Sequence, residues 1–381
     1  MIPRTVFDSE HELFRESVRR FLESEAVPYY SSWEKDGQID RGLWKKAGEQ
    51  GFLCPTVPEY LGGVGVDFRY NAVVTEEISR LGLVGIGFGL HSDICIPYIL
   101  NHGSDAQKEK YIPGCLSGDI ITAIAMTEPG TGSDLQGVST TAVRDGDEYI
   151  INGSKTFITN GQQADLVIVV CKTDASAGSR GFSLMLVETA TEGFKKGCNL
   201  EKIGMKAQDT SELFFQDVRI PAENLLGKEG MGMAYLMQEL PQERLSIALM
   251  AVAHAESILE QTVEYVKERK AFGQSIASFQ NTQFELAEIS ASLTSMRVFV
   301  DKCLELHIEG QLDTVTASKA KLLSTELQFK SINRCLQLHG GYGYMWEYPV
   351  ARAFADSRVQ CIYGGTSEIM KLIIGRSLLA D

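Results

Sequence analysis

The chain's 381 residues are 44% hydrophobic and 23% charged, enough apolar material for a large core and more than one domain. A formal net charge of −14 argues against nucleic-acid binding, which needs a basic face, but not against an anionic small ligand held by a local cationic cluster. No apolar run approaches the ~20 residues of a membrane span, Met1 to Arg4 carries no signal-like core, and eight cysteines without a C-x-x-C pair fit a reducing, cytoplasmic setting.

In chain order, Leu13, Phe14, Val18, Phe21 and Leu22 recur at helical spacing from Ser9 to about Ala26, and Pro28 is expected to end that helix. Arg41 to Gly51 reads as a second helix. The loop from Pro55 to Phe68 holds Gly62, Gly63 and Gly65 without matching a phosphate-loop pattern. Tyr70 to Leu81 and Leu83 to Asn101 read as helices, and Ser104 caps another through Tyr111. Residues 1–119 are thus expected to form an N-terminal helical domain.

The pattern changes at about Asp119. Ile120 to Met126 is strand-like and runs into Thr127-Glu128-Pro129-Gly130-Thr131-Gly132-Ser133-Asp134. Between Glu148 and Gly161, short apolar runs alternate with Asn152-Gly153 and Asn160-Gly161, which predict hairpin turns. Leu166 to Cys171, Gly181 to Glu188 and Leu213 to Ile220 complete a central β domain over residues 120–231.

Residues 232–381 return to helical spacing, with Met233 to Lys270, Thr282 to Glu309, Asp313 to His339 and Thr366 to Leu379 predicting a four-helix-type bundle. The fold class is therefore α+β multidomain, in the order helices, strands, helices. One stretch stands out: Glu239-Leu240-Pro241-Gln242-Glu243-Arg244-Leu245, a charge pair before an apolar run. Glu243 can be read as a first-turn acid favoured by the helix dipole or as a general base facing a buried pocket.

A dinucleotide fingerprint is missing, since Gly130-Thr131-Gly132 lacks its third glycine. There is no G-x-S-x-G motif. Cys303 with His307 and Cys335 with His339 stand four apart and could share a helix face, but both pairs sit among apolar residues and read as bundle core rather than zinc ligands. No metal is expected. What remains are loops rich in glycine and small hydroxyls: Thr127 to Ser133, Phe157 to Thr159, Leu338 to Gly341 and Gly364 to Ser367. Glycines let a planar or phosphate-bearing ligand approach the main chain, and Gly365-Thr366 stands just before a helix, where an N-terminus attracts anions.

Five ordered motifs carry a resemblance over nearly the whole chain: Ala125 to Asp134; Asn152 to Gly161; Glu268-Arg269-Lys270-Ala271-Phe272-Gly273-Gln274; Gln337 to Gly343; and Tyr363-Gly364-Gly365-Thr366-Ser367-Glu368. Together they resemble the acyl-CoA dehydrogenase family of flavoproteins. The resemblance implies an N-terminal helical domain, a central β domain and a C-terminal four-helix bundle, assembled as a homotetramer with FAD held between domains and across a subunit interface. Ile124, Met126, Thr127, Gly132, Ser133, Phe157, Ile158 and Thr159 resemble the walls around the flavin ring, and Ser133 also lies where the family touches substrate. Arg269, Phe272, Gln280, Gln337, Leu338, Gly340 and Gly341 resemble the positions that hold the pyrophosphate and adenosine of a neighbouring subunit's FAD. Thr366 and Glu368 resemble a further cofactor contact at a helix N-terminus. Phe157 stands where many members carry Trp.

The base motif departs from the common pattern: Gly364 occupies the position that is Glu in most members. The long-chain and isovaleryl branches place the glutamate just before a substrate-contacting arginine, and Glu243-Arg244 matches that placement. The runs Glu239 to Leu245 and Ile362 to Thr366 look most like the long-chain branch. The implied reaction is FAD-dependent α,β-dehydrogenation of a medium- to long-chain acyl-CoA to the trans-2-enoyl-CoA in fatty-acid β-oxidation. Glu243 would take the α-proton, the β-hydrogen would leave as hydride to the flavin, and a backbone N–H near Gly364 would help hold the enolate oxygen. The bare Gly364 would also vacate volume for the Glu243 carboxylate. Gly365, Gln242, Pro241, Arg244, Tyr235 and Arg180 are further substrate-side candidates, and an electron-transferring flavoprotein is the implied acceptor. The alternatives are a branched-chain dehydrogenase, an acyl-CoA oxidase, or a non-catalytic nucleic-acid-binding relative, which the acidic charge and Glu243 oppose.

Overall fold

The computed structural model describes residues 2–380. The N-terminal helices are α1 (Ser9–Glu25), α2 (Val27–Asp36), α3 (Arg41–Glu49), α4 (Phe68–Arg80), α5 (Ile96–His102) and α6 (Asp105–Ser117). Polar caps start them where chemistry predicts: Asp8, Asp40, Asp67 and Ser104 each accept from backbone N–H groups of the first turn, and Ser104 and Gln107 make a reciprocal capping box.

Two expectations fail here. Pro28 does not end the helical region. It sits in the first turn of α2, where its missing N–H costs nothing and its φ suits a helix start. Leu83 to Asn101 is not one helix. Residues 83–87 are irregular, Leu90–Cys95 winds as a wide π-type turn, and the next α-helix is the short Ile96–His102. Gly85 and Gly87 explain the irregular part, because a Cβ would lie 2.8 Å from Tyr30 Oη at the first and 2.1 Å from Asn160 Oδ1 at the second.

The central strands are β1 (Thr122–Ala125), β2 (Thr141–Asp145), β3 (Glu148–Thr159), β4 (Leu166–Lys172), β5 (Phe182–Glu188), β6 (Phe194–Asn199), β7 (Thr210–Pro221) and β8 (Leu225–Leu226). They pair in the order β6-β7-β3-β2-β4-β5-β8, and β1 lies parallel to β4. Alternate residues of β4 and β5 feed two different cores. Leu166, Ile168, Val170, Leu184 and Leu186 join the N-terminal helices, whereas Val167, Val169, Cys171, Met185 and Val187 join Tyr149, Ile151 and Phe215 on the other face. Burial on both faces is why these strands read as unbroken apolar runs. The expected Asn152-Gly153 turn does not form. β3 runs straight through it, with Gly153 at φ 151° where a Cβ would press on Thr140. The hairpin turn is Gly146-Asp147 instead, joining β2 to β3 with Asp145 opposite Glu148.

The C-terminal helices are α7 (Gly232–Glu268), α8 (Gln280–Ile308), α9 (Thr314–His339), α10 (Pro349–Ser357) and α11 (Ser367–Leu378); α10 is additional to the four expected. A two-strand ribbon of β9 (Lys270–Ala271) and β10 (Gln274–Ser275) links α7 to α8. One cluster unites Phe68 and Ala72 of α4, Leu245, Leu249 and Val252 of α7, Val300 and Leu304 of α8 and Ala320 of α9. α7 therefore packs against both the first domain and the bundle. His307 packs edge-on against Phe68 and His339 stacks on Tyr265. Among the described residues no helix is long and apolar enough to cross a membrane.

Candidate active site

Glu243 is not at a helix start. It lies twelve residues into α7 by the helix's own bounds, so the first-turn reading is overturned. Its side chain is 5% exposed. Pro241, inside α7, cannot donate to the Met237 carbonyl one turn earlier, so the backbone bond there is missing just before the acid.

Two turns of α7 meet α5 through polar contacts. Tyr98 Oη donates to Glu243 Oε1 at 2.9 Å. One turn earlier, Asn101 Nδ2 donates to Glu239 Oε1 at 3.0 Å, and His102 Nε2 lies 2.9 Å from the same oxygen. One further turn toward the helix start, Tyr235 stacks on His102 with ring centroids 4.1 Å apart. Burial pushes the Glu243 carboxyl up to about 7; the Tyr98 hydrogen bond and Arg244 pull it back, and Glu239 adds to the rise.

Arg244 points elsewhere, as a neighbour about 100° round a helix must. It is 3% exposed, donates to Ser318 Oγ at 3.3 Å, and leaves its Nε unbonded. Its next neighbour in α9, Lys321, is fully buried and donates to the Gly365 carbonyl at 2.6 Å, with burial pushing its amine down to about 8. Gln242 also turns away from Glu243, donating to the Asp93 carbonyl at 2.6 Å. Asp93, in the π-type turn, is bonded by Asn71, Thr75 and Ser246 and is itself pushed up to about 7 by burial.

Gly364 and Gly365 take φ 60° and 94°, a left-handed pair that favours glycine. A side chain at Gly364 would begin 2.4 Å from Ile247 Cδ1. Ile247 is one turn after Glu243, so the bare glycine does lie beside the Glu243 stretch. The expectation that it vacates room for the Glu243 carboxylate needs correction, because Ile247 already fills that room. Tyr363 Oη donates to Gln360 Oε1 at 2.8 Å, and Gln360 approaches Met250 on the same face of α7. Thr366 caps α11 through the Ile369 N–H, and Glu368 is an exposed first-turn acid.

The residues expected to wall a flavin come together. The Thr156 N–H donates to the Thr127 carbonyl at 2.9 Å, joining the end of β1 to β3. Buried Lys155 donates to the Met126 carbonyl at 3.0 Å and to Glu128 Oε1 at 2.9 Å. Ile124 and Ile158 are buried, Thr127 and Thr159 half-buried, and Gly132 and Ser133 exposed. Phe157 stands 67% exposed at φ 60°, a conformation that ordinary side chains adopt at a cost. An exposed ring on a strained backbone is a surface that a planar cofactor would cover. FAD therefore fits these residues. Arg180 is exposed before β5, with its carbonyl near Gly230.

A second group forms at the far end of α7. Arg269 follows the helix, lies over the Tyr342 ring at 5.5 Å, and precedes Phe272, which is 96% exposed at the ribbon tip. Gln280 opens α8, and Gln337, Leu338, Gly340 and Gly341 end α9. Arg269 is 26 residues beyond Glu243, about 39 Å along a helix rising ~1.5 Å per residue. The sequence reading missed Tyr98, His102 and Lys321, whose partners are remote along the chain.

Three family models match: "Acyl-CoA dehydrogenase, N-terminal domain" over residues 8–119, "middle domain" over 123–218 and "C-terminal domain" over 230–379. The chain is 54% identical over 380 residues to the long-chain specific acyl-CoA dehydrogenase, mitochondrial, of Rattus norvegicus, covering 99% of this chain and 88% of that one. It superposes on an acyl-CoA dehydrogenase from Geobacillus kaustophilus with a TM-score of 0.97 at 51% identity, covering 99% and 100% of the two chains. A glutaryl-CoA dehydrogenase from Mycobacterium smegmatis in complex with FADH2 gives 0.91 at 27% identity over 99% and 96%.

Proposed function

The chain belongs to the acyl-CoA dehydrogenase family and is an acyl-CoA dehydrogenase of fatty-acid oxidation, and we propose that Glu243 is its general base. The observation that carries this assignment is the placement of Glu243: a carboxyl that burial pushes up to about 7, one turn from the residue that packs on Gly364. A carbon acid as weak as a thioester α-carbon needs a base whose pKa lies near working pH. The protein's nearest cation in sequence, Arg244, is directed into α9 and does not neutralise it.

In this reading Glu243 takes the α-proton of the thioester and becomes a neutral acid. The backbone N–H of Gly364, in a turn whose next carbonyl is fixed by Lys321, steadies the developing negative oxygen. FAD, when bound, supplies the acceptor for the β-hydrogen and its electron pair. Ile124, Met126, Thr127 and the Phe157 to Thr159 segment would hold its ring side, with Ser133 shared by the substrate. Arg269, Phe272, Gln280, Gln337, Leu338, Gly340 and Gly341 would hold a neighbouring chain's cofactor, Thr366 and Glu368 completing the contact. The separation of about 39 Å from Glu243 supports sharing between chains, as does the exposure of Phe272. We propose a homotetramer on that basis, with an electron-transferring flavoprotein as acceptor.

The proposed substrate is a medium- to long-chain straight acyl-CoA, supported by the identity to the rat relative. Tyr235, Pro241 and Gly365 are assigned to the substrate side, and Arg180 to the CoA. Gln242 and Arg244 are assigned to shaping the site, since their polar ends are engaged elsewhere. Eight free cysteines support a reducing compartment.

The test is anaerobic flavin bleaching by acyl-CoAs of graded length in wild type and Glu243→Gln, with FAD content matched. The rate should fall by about 10²–10⁴ in the variant. Reduction at near wild-type rate would end the assignment and turn attention to Glu239 or Glu368.

A further inference from the structure

α5 and α7 meet through a row of polar contacts, Tyr98 on Glu243 and Asn101 with His102 on Glu239. Tyr98 is fully buried, among Cys95, Ile96 and Ile99, which are equally buried. A phenol in such a place needs a partner, and the partner it has is Glu243 Oε1 at 2.9 Å. We propose that Tyr98 is a positioning residue for the reaction: it fixes the rotamer of the Glu243 carboxylate and, as a hydrogen-bond donor to the ionised form, keeps the base deprotonated at working pH. This deepens the Glu243 assignment and rests on it.

Glu243 has two carboxylate oxygens, and the phenol occupies one, leaving Oε2 as the oxygen that can receive a proton. Glutamate has several side-chain rotors, and a bond to a rigid ring on a second helix removes that freedom before substrate arrives. The titratable or charged groups that face Glu243 are Tyr98 and Cys95 from the first domain, and Glu239, bonded to His102, and Arg244 from its own helix. Tyr98 is the only one of these that bonds the carboxylate directly. Glu239, one turn away, opposes ionisation. Asn101 and His102 occupy its Oε1, which keeps that second acid turned to α5 rather than to Glu243.

A hydrogen bond to the charged form lowers a carboxyl pKa, so its loss must raise it. The ascending limb of flavin reduction against pH should move upward by about one unit in Tyr98→Phe, a tenfold loss below the limb. Well above the limb the rate should approach wild type. An isosteric replacement by 3-fluorotyrosine at position 98 makes a stronger donor and should move the limb the other way. Opposite displacements from two rings of nearly the same size are a result that a packing role cannot give.

The same displacement is measurable without turnover. The infrared carbonyl band of protonated Glu243, identified as the band that Glu243→Gln removes, should titrate at higher pH in Tyr98→Phe than in wild type. If Glu243→Gln abolishes flavin reduction while neither ring variant moves the limb or the band, Tyr98 is packing and this inference is wrong. If Glu243→Gln reduces its flavin at wild-type rate, the base assignment is what fails. A Tyr98→Phe protein too unstable to assay leaves the 3-fluorotyrosine protein to decide the matter.

Discussion

Two buried glutamates on helices that pack between the first domain and the bundle are pushed in opposite directions. Glu76, in α4, is 1% exposed and accepts from Arg4, Arg15 and Arg297 at 2.7–2.9 Å. Burial alone would raise its pKa, but Arg297 and Arg4, with Arg15, overcome it and hold the carboxyl far below the usual range. Glu243, 5% exposed, has one phenol and no guanidinium aimed at it, and burial wins. The same residue type in similar burial becomes a permanent charge in one place and a titratable group in the other. What differs is the direction of the cations: three converge on Glu76, whereas Arg244 leaves Glu243 for Ser318. Desolvation sets the rise, and the absence of a converging cation lets it stand.

The contrast is broken most severely at Glu76. Glu76→Gln leaves three guanidiniums around a neutral amide and should cost about 3–5 kcal/mol in urea unfolding. A depressed carboxyl contributes stability above its unfolded pKa and loses it only as pH falls through the folded value. The penalty should therefore persist through neutral pH and fade only in strong acid.

Glu243→Gln should do the reverse. With its carboxyl raised from 4.5 to about 7, the wild-type fold is disfavoured progressively as pH climbs between those values. The variant should be more stable than wild type by up to about 3 kcal/mol at about pH 8, with no advantage below about pH 4. Thermal melts across pH read this directly. Equal melting curves throughout would mean that Glu243 is better solvated than its burial indicates.

A smaller effect sharpens the Gly364 comparison. The exchange Glu243→Gly with Gly364→Glu should remain nearly inactive, because the new side chain meets Ile247 and must adopt a left-handed backbone. Adding Ile247→Ala should recover some flavin reduction, by about tenfold if relieving the contact is worth ~1.4 kcal/mol. No difference between the double and triple variants would remove Ile247 from the account.

Much of this was legible beforehand where one element carries its own signal. The long periodic helices α7, α8 and α9, the Thr366 cap and the both-face apolar strands β4 and β5 follow from local pattern. The Glu243-Arg244 pair is visible too, but its helix-start reading fails because Glu243 lies twelve residues into α7, which continues through Pro241. Pro28 misled in the opposite sense, being a start rather than a stop. Asn152-Gly153 lost to tertiary pairing: β7 pairs with β3 on both sides of the bulge and carries it past the turn signal. Tyr98, His102 and Lys321 had no local signature at all. Their roles come from partners 145, 137 and 44 positions away.

The proposed role of Glu243 is that of a titrating base rather than a fixed charge. Its most direct test is the pH dependence of the apparent second-order rate of anaerobic flavin reduction by acyl-CoA, from about pH 5 to about pH 9, in wild type and Glu243→Gln. The wild-type rate should rise through a single limb near 7, and the residual variant rate should lack that limb. A limb that survives in Glu243→Gln would contradict that role.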